Sequence, residues 1–374
     1  MYDWRRDLGE AVAGCAAEIR FAEPMAQHTT FRLGGLADAW VCTRDRQALA
    51  RVLSVCREAG VRTWLLGRGS NVLVSDQGLR GVVVCLGGEL AEVKAERDRG
   101  TEGQRDRVTE DGGSGYSIPR SFDPSIPVRL VCGAGAVLDA VAAFAEREGL
   151  VGVEFVAGIP GTVGGGLHSN AGAFGRSLGD VVASVTVLDP EGNELVLTGT
   201  ELRREYRRPM IGPGLVAVEV TMEPPGNCRM SNVECRMSAD EVRERRWAKQ
   251  PKEPSAGSFF RNPETEDGGR VPAGRLIEEC GLKGRTIGGA KVSEMHANFL
   301  VNTGRARFAD VYELVQVVKA TVERQTGILL EEEVQYLPGR DEVRGPGLKG
   351  SRIQGFQSLD PSNPGVLESF SKRR

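Results

Sequence analysis

The chain has 374 residues, is 40% hydrophobic, and carries 48 basic against 51 acidic side chains for a formal net charge of -3. That apolar content can fill cores in more than one domain, and the acidic balance argues against nucleic acid as the main partner, whose footprint is basic. No apolar run reaches membrane-spanning length, the start "MYDWRRDLGEAVAG" lacks a secretory h-region, and eight cysteines without a C-x-x-C pair fit free thiols in a reducing cytoplasm.

Ordered patterning begins near residue 29. The segment "ALARVLSVCREAG" sets Leu49, Val52, Leu53 and Cys56 at helical spacing and predicts a helix stopped by Gly60. "RTWLLGRGSNVLVSDQGLRGVVVCL" then reads as strand, glycine turn, strand, turn, strand. Residues 89–126 are charged and glycine-rich, without apolar periodicity, and read as a solvated, disordered insertion. Order resumes at "VRLVCGAGAVLDAVAAFAEREGL", a strand and a helix, and runs through "GIPGTVGGGLHSNAGAFG" into the strand-like "VASVTVLD" and "LVAVEVTM". A third block, from about 240 to 338, ends in the amphipathic helix "FADVYELVQVVKATVERQTG" and the strand-like "ILLEEEVQYL". Beyond Gly339 the glycine, proline, serine and charge content reads as a disordered tail.

The glycine clusters carry the first chemical signal. "VCGAGAVLD" follows a strand and opens a helix, but Leu138 stands where a dinucleotide fingerprint needs its third glycine. "LGRGSN" lies between two strands and can present several backbone N–H groups in a concave nest suited to a pyrophosphate. "GIPGTVGGG" offers a second such loop, although each alone is equally a tight turn. Together they point to a diphosphate-bearing cofactor. Three histidines, His28, His168 and His296, lie far apart and no metal site is expected. In "PSAGSFFRNP", residues 254–263, Ser258 sits between a permissive glycine and two phenylalanines, which fits a placed hydroxyl or a turn serine.

"TTFRLGG", "LGRGSNVLVSDQGLRG", "EFVAGIPGTVGGGLHSNAGAFG", "YRR", "KQPKEPSAGSFFRNP", "AGRLIEECGLKGRTIGGAKVSEMHANFLVN" and "LEEEV" occur in that order between about residues 28 and 338. This set resembles the UDP-N-acetylenolpyruvoylglucosamine reductases, in their shorter second type. The resemblance implies an α+β protein: a two-subdomain FAD-binding fold of the vanillyl-alcohol-oxidase kind plus a separate α+β substrate-binding domain. Its division would be 1–28 as N-terminal segment, 29–225 for FAD with the 89–126 insertion, 226–339 for substrate, and 340–374 as tail.

The resemblance also implies noncovalent FAD, NADPH as cosubstrate, and reduction of an enolpyruvyl UDP-sugar in cytoplasmic peptidoglycan precursor synthesis, with no membrane, nucleic-acid or obligate protein partner. Gly67, Arg68, Gly69, Ser70 and Asn71 would follow the FAD pyrophosphate, opposed by Gly158, Ile159, Pro160, Gly161 and Thr162, with Asn170, Ala171 and Gly172 nearby. Ser258 would donate a proton, Arg207 would grip the carboxylate, and Glu333 would be the catalytic glutamate. Tyr206, Lys249 and Asn262 would contact substrate. Strand alternation puts Glu331 and Glu333 on one side and Glu332 on the other. The chain departs from the family at Arg261, more often lysine, at Pro209, elsewhere a serine, and in "GLHSN". A flavin oxidase of another substrate and a silent nucleotide-binding protein are the rival readings.

Overall fold

The computed structural model describes residues 3–97, 128–224, 237–265, 268–337 and 358–359. The first lobe holds α1 (Trp4–Val12), β1 (Ala17–Pro24), β2 (Leu36–Thr43), α2 (Arg46–Glu58), β3 (Thr63–Leu65), β4 (Val72–Val74) and β5 (Leu79–Leu86). Asp45 starts α2 by accepting the Ala48 N–H at 2.6 Å, and the helix buries Ala48, Leu49, Val52 and Cys56. That is the face the spacing predicts, with Leu53 at its half-buried margin. β5 pairs in parallel with β2 and β3. Its "VVV" run has no polar alternation because both faces are covered. Val82 and Val84 pack on the helices, while Val83 packs with Trp40 and Trp64.

The second lobe holds β6 (Val93–Arg97), β7 (Val128–Gly133), α3 (Leu138–Arg147), α4 (Val163–Ser169), β8 (Gly172–Ala173), β9 (Arg176–Ser177), β10 (Val182–Leu188), β11 (Glu194–Thr198) and β12 (Val216–Met222). Its five-stranded sheet runs β11-β10-β12-β7-β6 and packs one face on α3 and α4. Leu188, Val216 and Val218 join the core of the first lobe, and Arg46 pairs with Glu219 and Glu194 at 2.7 and 2.8 Å. The two lobes therefore share apolar surface.

α5 (Ala239–Trp247) packs Ala239 and Val242 into the core of the second lobe, and the third lobe holds β13 (Ser255–Ser258), α6 (Ala273–Glu279), β14 (Thr286–Ile287), β15 (Ala290–Val292), β16 (Phe299–Asn302), α7 (Phe308–Thr326) and β17 (Gln335–Leu337); β18 (Ser358–Leu359) follows. Its sheet, β13-β16-β15-β14, lies against α6 and α7 around Phe259, Phe260, Ile277, Leu314 and Val318. The chain then returns: β17 pairs in parallel with β4 and so stitches the third lobe to the first. Among the described residues no helix is long and apolar enough to cross a membrane, and no His/Cys/Asp/Glu group is arranged to hold a metal.

Two readings of disorder need correction. Residues 89–126 begin ordered: Leu90 is buried, and Val93–Arg97 pairs with β7 in register from Val93↔Cys132 to Arg97↔Val128. Local composition hid this, because an edge strand needs apolar residues on one face only, and Val93 and Ala95 supply them. Residues 98–126 of that segment lie outside the described residues. In the 340–374 segment, Ser358 and Leu359 pair with Trp64 and Thr63 of β3, and the rest lies outside the described residues. Deleting residues 93–97 should lower the thermal midpoint by several degrees, since it strips the pairing partner from β7 over Leu130 and Cys132. An unchanged midpoint would show that β6 contributes nothing to the sheet.

Candidate active site

The three lobes meet at a cleft of about 1350 Å³, beyond the roughly 300–1,000 Å³ of most small-ligand pockets. Two glycine loops form one wall. No backbone N–H of residues 67–71 has a hydrogen-bond partner among the described residues. Five unpaired donors therefore belong to residues that line the cleft, a favourable nest for an anionic diphosphate. A Cβ on Gly67 would lie 2.5 Å from Thr162 Oγ1, so only glycine lets this loop close on the opposing one.

The second loop, 158–162, is pinned from behind. Asp139 of α3 accepts the Gly158 N–H at 2.8 Å and the Arg243 Nε–H at 3.0 Å. Arg246 of α5 donates to the carbonyls of Ala157 and Phe155 at 3.1 and 3.4 Å. Thr162 caps α4 through the Gly165 N–H at 3.2 Å. The residues present therefore fit a flavin dinucleotide: a large cleft, unpaired N–H groups, and loops whose spacing a side chain would destroy.

The adjoining wall carries the chemistry. Ser258 ends β13, whose pairing with β16 runs Ser255↔Val301 and Ser258↔Phe299, three steps against two. The extra residue makes a bulge, and Gly257 takes it up at φ +77°. This local twist brings both Gly257 and Ser258 to the cleft. The Ser258 hydroxyl makes no hydrogen bond among the described residues.

Glu333 is placed beside this strand because its N–H donates to the Phe259 carbonyl at 2.8 Å, while Asn71 Nδ2 donates to the Glu333 carbonyl at 3.2 Å. Its side chain is 13% exposed and lies 3.1 Å from Arg207 Nε, itself on a side chain 21% exposed. Burial raises the Glu333 proton affinity, and Arg207 and Arg261 oppose that rise. The Arg207 contact is an ion pair without an aligned hydrogen bond: the buried Nε–H groups of Arg207 and Arg261 have no hydrogen-bond partner. The three neighbouring glutamates separate by partner. Glu331 is 76% exposed with Arg261 at 3.6 Å, and Glu332 takes Lys319 at 2.9 Å. Arg261 thus stands by both Glu331 and Glu333, although the expected strand begins only at Gln335, and of the three glutamates only Glu333 reaches the cleft.

Arg207 is a non-glycine residue at φ +53°, in a loop that must be held. Asn170 does the holding. Itself left-handed at φ +42°, it donates from Nδ2 to the Arg204 and Glu205 carbonyls at 3.0 and 3.2 Å and accepts the Gly179 N–H at 2.9 Å. Asn170 was expected near the FAD; it is buried, does not line the cleft, and orders the arginine loop instead. Ala171 and Gly172 do line it, with Gly67 to Asn71, Gly158 to Thr162, Arg207, Ser258 and Glu333.

The three expected substrate contacts are likewise absent from the cleft lining. Asn262 Oδ1 accepts the Ala273 N–H at 3.0 Å and so caps α6. Tyr206 is 43% exposed and stacks under Arg270, 3.7 Å from its centroid. Lys249 follows α5, while its neighbours Gln250 and Lys252 line the cleft. Sequence reasoning passed over Arg246, a lining residue inside the charged run "RERRW". The signal was present: Val242 is buried four residues earlier on the same helix face. Burial, with Arg207 nearby, lowers the Arg246 pKa to about 10.

His168, at the end of α4, lines the cleft and accepts from the Gln335 amide at 2.8 Å. Burial lowers its pKa from 6.5 to about 4. A histidine kept neutral by the fold binds its proton more readily when unfolded, so stability rises with pH between those values and is flat above them. The expected loss on acidification across that window is about 3 kcal/mol, and His168→Gln should remove it from denaturant curves. Equal acid sensitivity in the variant would show that His168 charges without penalty.

Comparison with known proteins gives the class first: residues 121–198 match the family model described as FAD binding domain. Residues 250–337 match the C-terminal domain model of UDP-N-acetylenolpyruvoylglucosamine reductase. The chain is 37% identical over 337 residues to the reductase of that name from Heliobacterium modesticaldum, covering 89% of this chain and 95% of the relative. It is 39% identical to reductase 2 from Symbiobacterium thermophilum, covering 85% and 91%. The crystal structure of the Thermus caldophilus reductase superimposes with a TM-score of 0.62 at 31% identity, over 86% of this chain and 99% of that one. The chain belongs to the UDP-N-acetylenolpyruvoylglucosamine reductase family.

Proposed function

We propose that this protein reduces UDP-N-acetylglucosamine enolpyruvate to UDP-N-acetylmuramate with NADPH, for peptidoglycan precursor synthesis. The carrying observation is the convergence of Arg207, Ser258 and Glu333, from two lobes, on the cleft walled by both glycine loops. FAD, when bound, supplies two-electron transfer from NADPH to the substrate's double bond. The chain supplies the rest. Arg207 holds the substrate carboxylate and stabilises the negative charge that gathers there. Ser258 delivers a proton to the carbon adjoining the carboxylate. Glu333 fixes the Arg207 guanidinium and supplies a carboxylate of raised proton affinity close to the serine strand.

Tyr206 and Lys249, at the rim, meet the sugar nucleotide only if it extends beyond the cleft, and Asn262 acts through α6. The test is turnover: purified protein should consume NADPH only when the enolpyruvyl sugar nucleotide is present, with a product heavier by two hydrogens. Oxygen-dependent NADPH consumption without that product would favour the flavin oxidase reading.

Cofactor attachment is noncovalent in this reading, because neither loop contains cysteine or histidine. Acid or heat denaturation should release all the flavin into the supernatant. Flavin remaining on the chain would point to His168 or Cys85, the histidine and cysteine that line the cleft among the described residues.

A further inference from the structure

Cys42 of β2 and Cys85 of β5 are direct partners in the parallel pairing of the first sheet. Register partners on adjacent strands stand about 4.8 Å apart and project from the same face. That separation lies inside the roughly 4.4–6.8 Å Cα range that a disulfide spans. Both thiols are free and neither is fully buried. Beneath them lie Trp40 and Val83; beside them, Glu18 of β1 is in register with Cys42. Arg20 and Arg44 pair with Glu18 at 2.7 and 3.8 Å, so two guanidinium groups and the carboxylate between them border the sulfurs. Cys85 also lines the cleft.

The thiols differ in character. The neighbouring Cys85 thiol, reinforced by the Arg44 charge, favours the thiolate at Cys42, whereas the Cys42 neighbour and burial keep Cys85 protonated. Elsewhere burial pushes Cys56 up to about 11 and Cys132 up to about 12, which leaves them inert.

We propose that Cys42 and Cys85 are an oxidation site at the cleft wall, with a peroxide as the oxidant. The Cys42 thiolate attacks one peroxide oxygen; the O–O bond breaks, the second oxygen leaves as water after protonation, and Cys42 becomes a sulfenic acid. The Cys85 thiol attacks that sulfur, the S–O bond breaks, and its oxygen leaves as a second water with the Cys85 proton. The two sulfurs lose two electrons and the peroxide is reduced to water.

The test treats the full-length holoprotein with equimolar hydrogen peroxide, alkylates remaining thiols, and maps peptides without reduction. A cross-link joining the Cys42 and Cys85 peptides, lighter by two hydrogens and removed by dithiothreitol, is expected. In Cys85→Ser, Cys42 should be trapped by dimedone as sulfenic acid. If Cys42 and Cys85 remain alkylatable while Cys15, Cys228 or Cys235 is oxidised, the proposal fails. The wild-type map decides this even if the variant does not fold.

Discussion

Ser258→Ala is expected to leave flavin reduction by NADPH near its normal rate and to slow flavin reoxidation by the enolpyruvyl substrate by about 10²–10⁴-fold, the usual contribution of one general acid. The serine sits on the bulge at Gly257 and its hydroxyl makes no hydrogen bond among the described residues, so it can be removed without breaking a contact of the cofactor wall. Phe259 and Phe260, fully buried next in sequence, keep the strand in place in the variant. Rapid mixing separates the two half-reactions. Equal slowing of both would mean that the substitution disturbs the cleft rather than a proton transfer.

Arg207→Ala should lower kcat/KM by roughly 10- to 100-fold, the effect of one charge-assisted contact of about 1.5–3 kcal/mol, with KM rising as well as kcat falling. The carboxylate contact exists in both ground and transition states, which distinguishes it from the serine. A second consequence follows from the 3.1 Å ion pair: without Arg207, Glu333 keeps its burial and loses the first of the two cations opposing its raised proton affinity. The pH profile of kcat/KM should therefore shift its carboxylate limb to higher pH, since protonation of Glu333 then persists further up the scale. Thermal stability also falls, because a buried charge is left with a weaker partner. Arg207→Lys restores a cation and should recover part of the pH shift. An unmoved limb in Arg207→Ala would show that Glu333 does not titrate in catalysis.

Much of this site is legible in the chain because its signals are local. The glycine loops, the helix of Leu49 and Val52, and the Gly257–Ser258 pair are set by backbone freedom and spacing within a few residues. What escaped is set by contacts distant in sequence. Asn170 reads as one more loop residue until its amide is seen to hold carbonyls 34 and 35 positions away. Asn262 resembles a ligand-binding amide, but its oxygen is taken by the first turn of α6. β6 was hidden because its two inward residues are too few to mark a period. Arg246 was hidden by its charged neighbours, though its helix face is that of a buried valine.

The most direct test of the central claim is anaerobic mixing of the purified wild-type protein, first with NADPH and then with UDP-N-acetylglucosamine enolpyruvate, while flavin absorbance is followed. The account predicts bleaching in the first step and full recovery of the oxidised spectrum in the second, with one equivalent of UDP-N-acetylmuramate formed. A reduced flavin that the enolpyruvyl substrate leaves bleached, and that only oxygen restores, would contradict it.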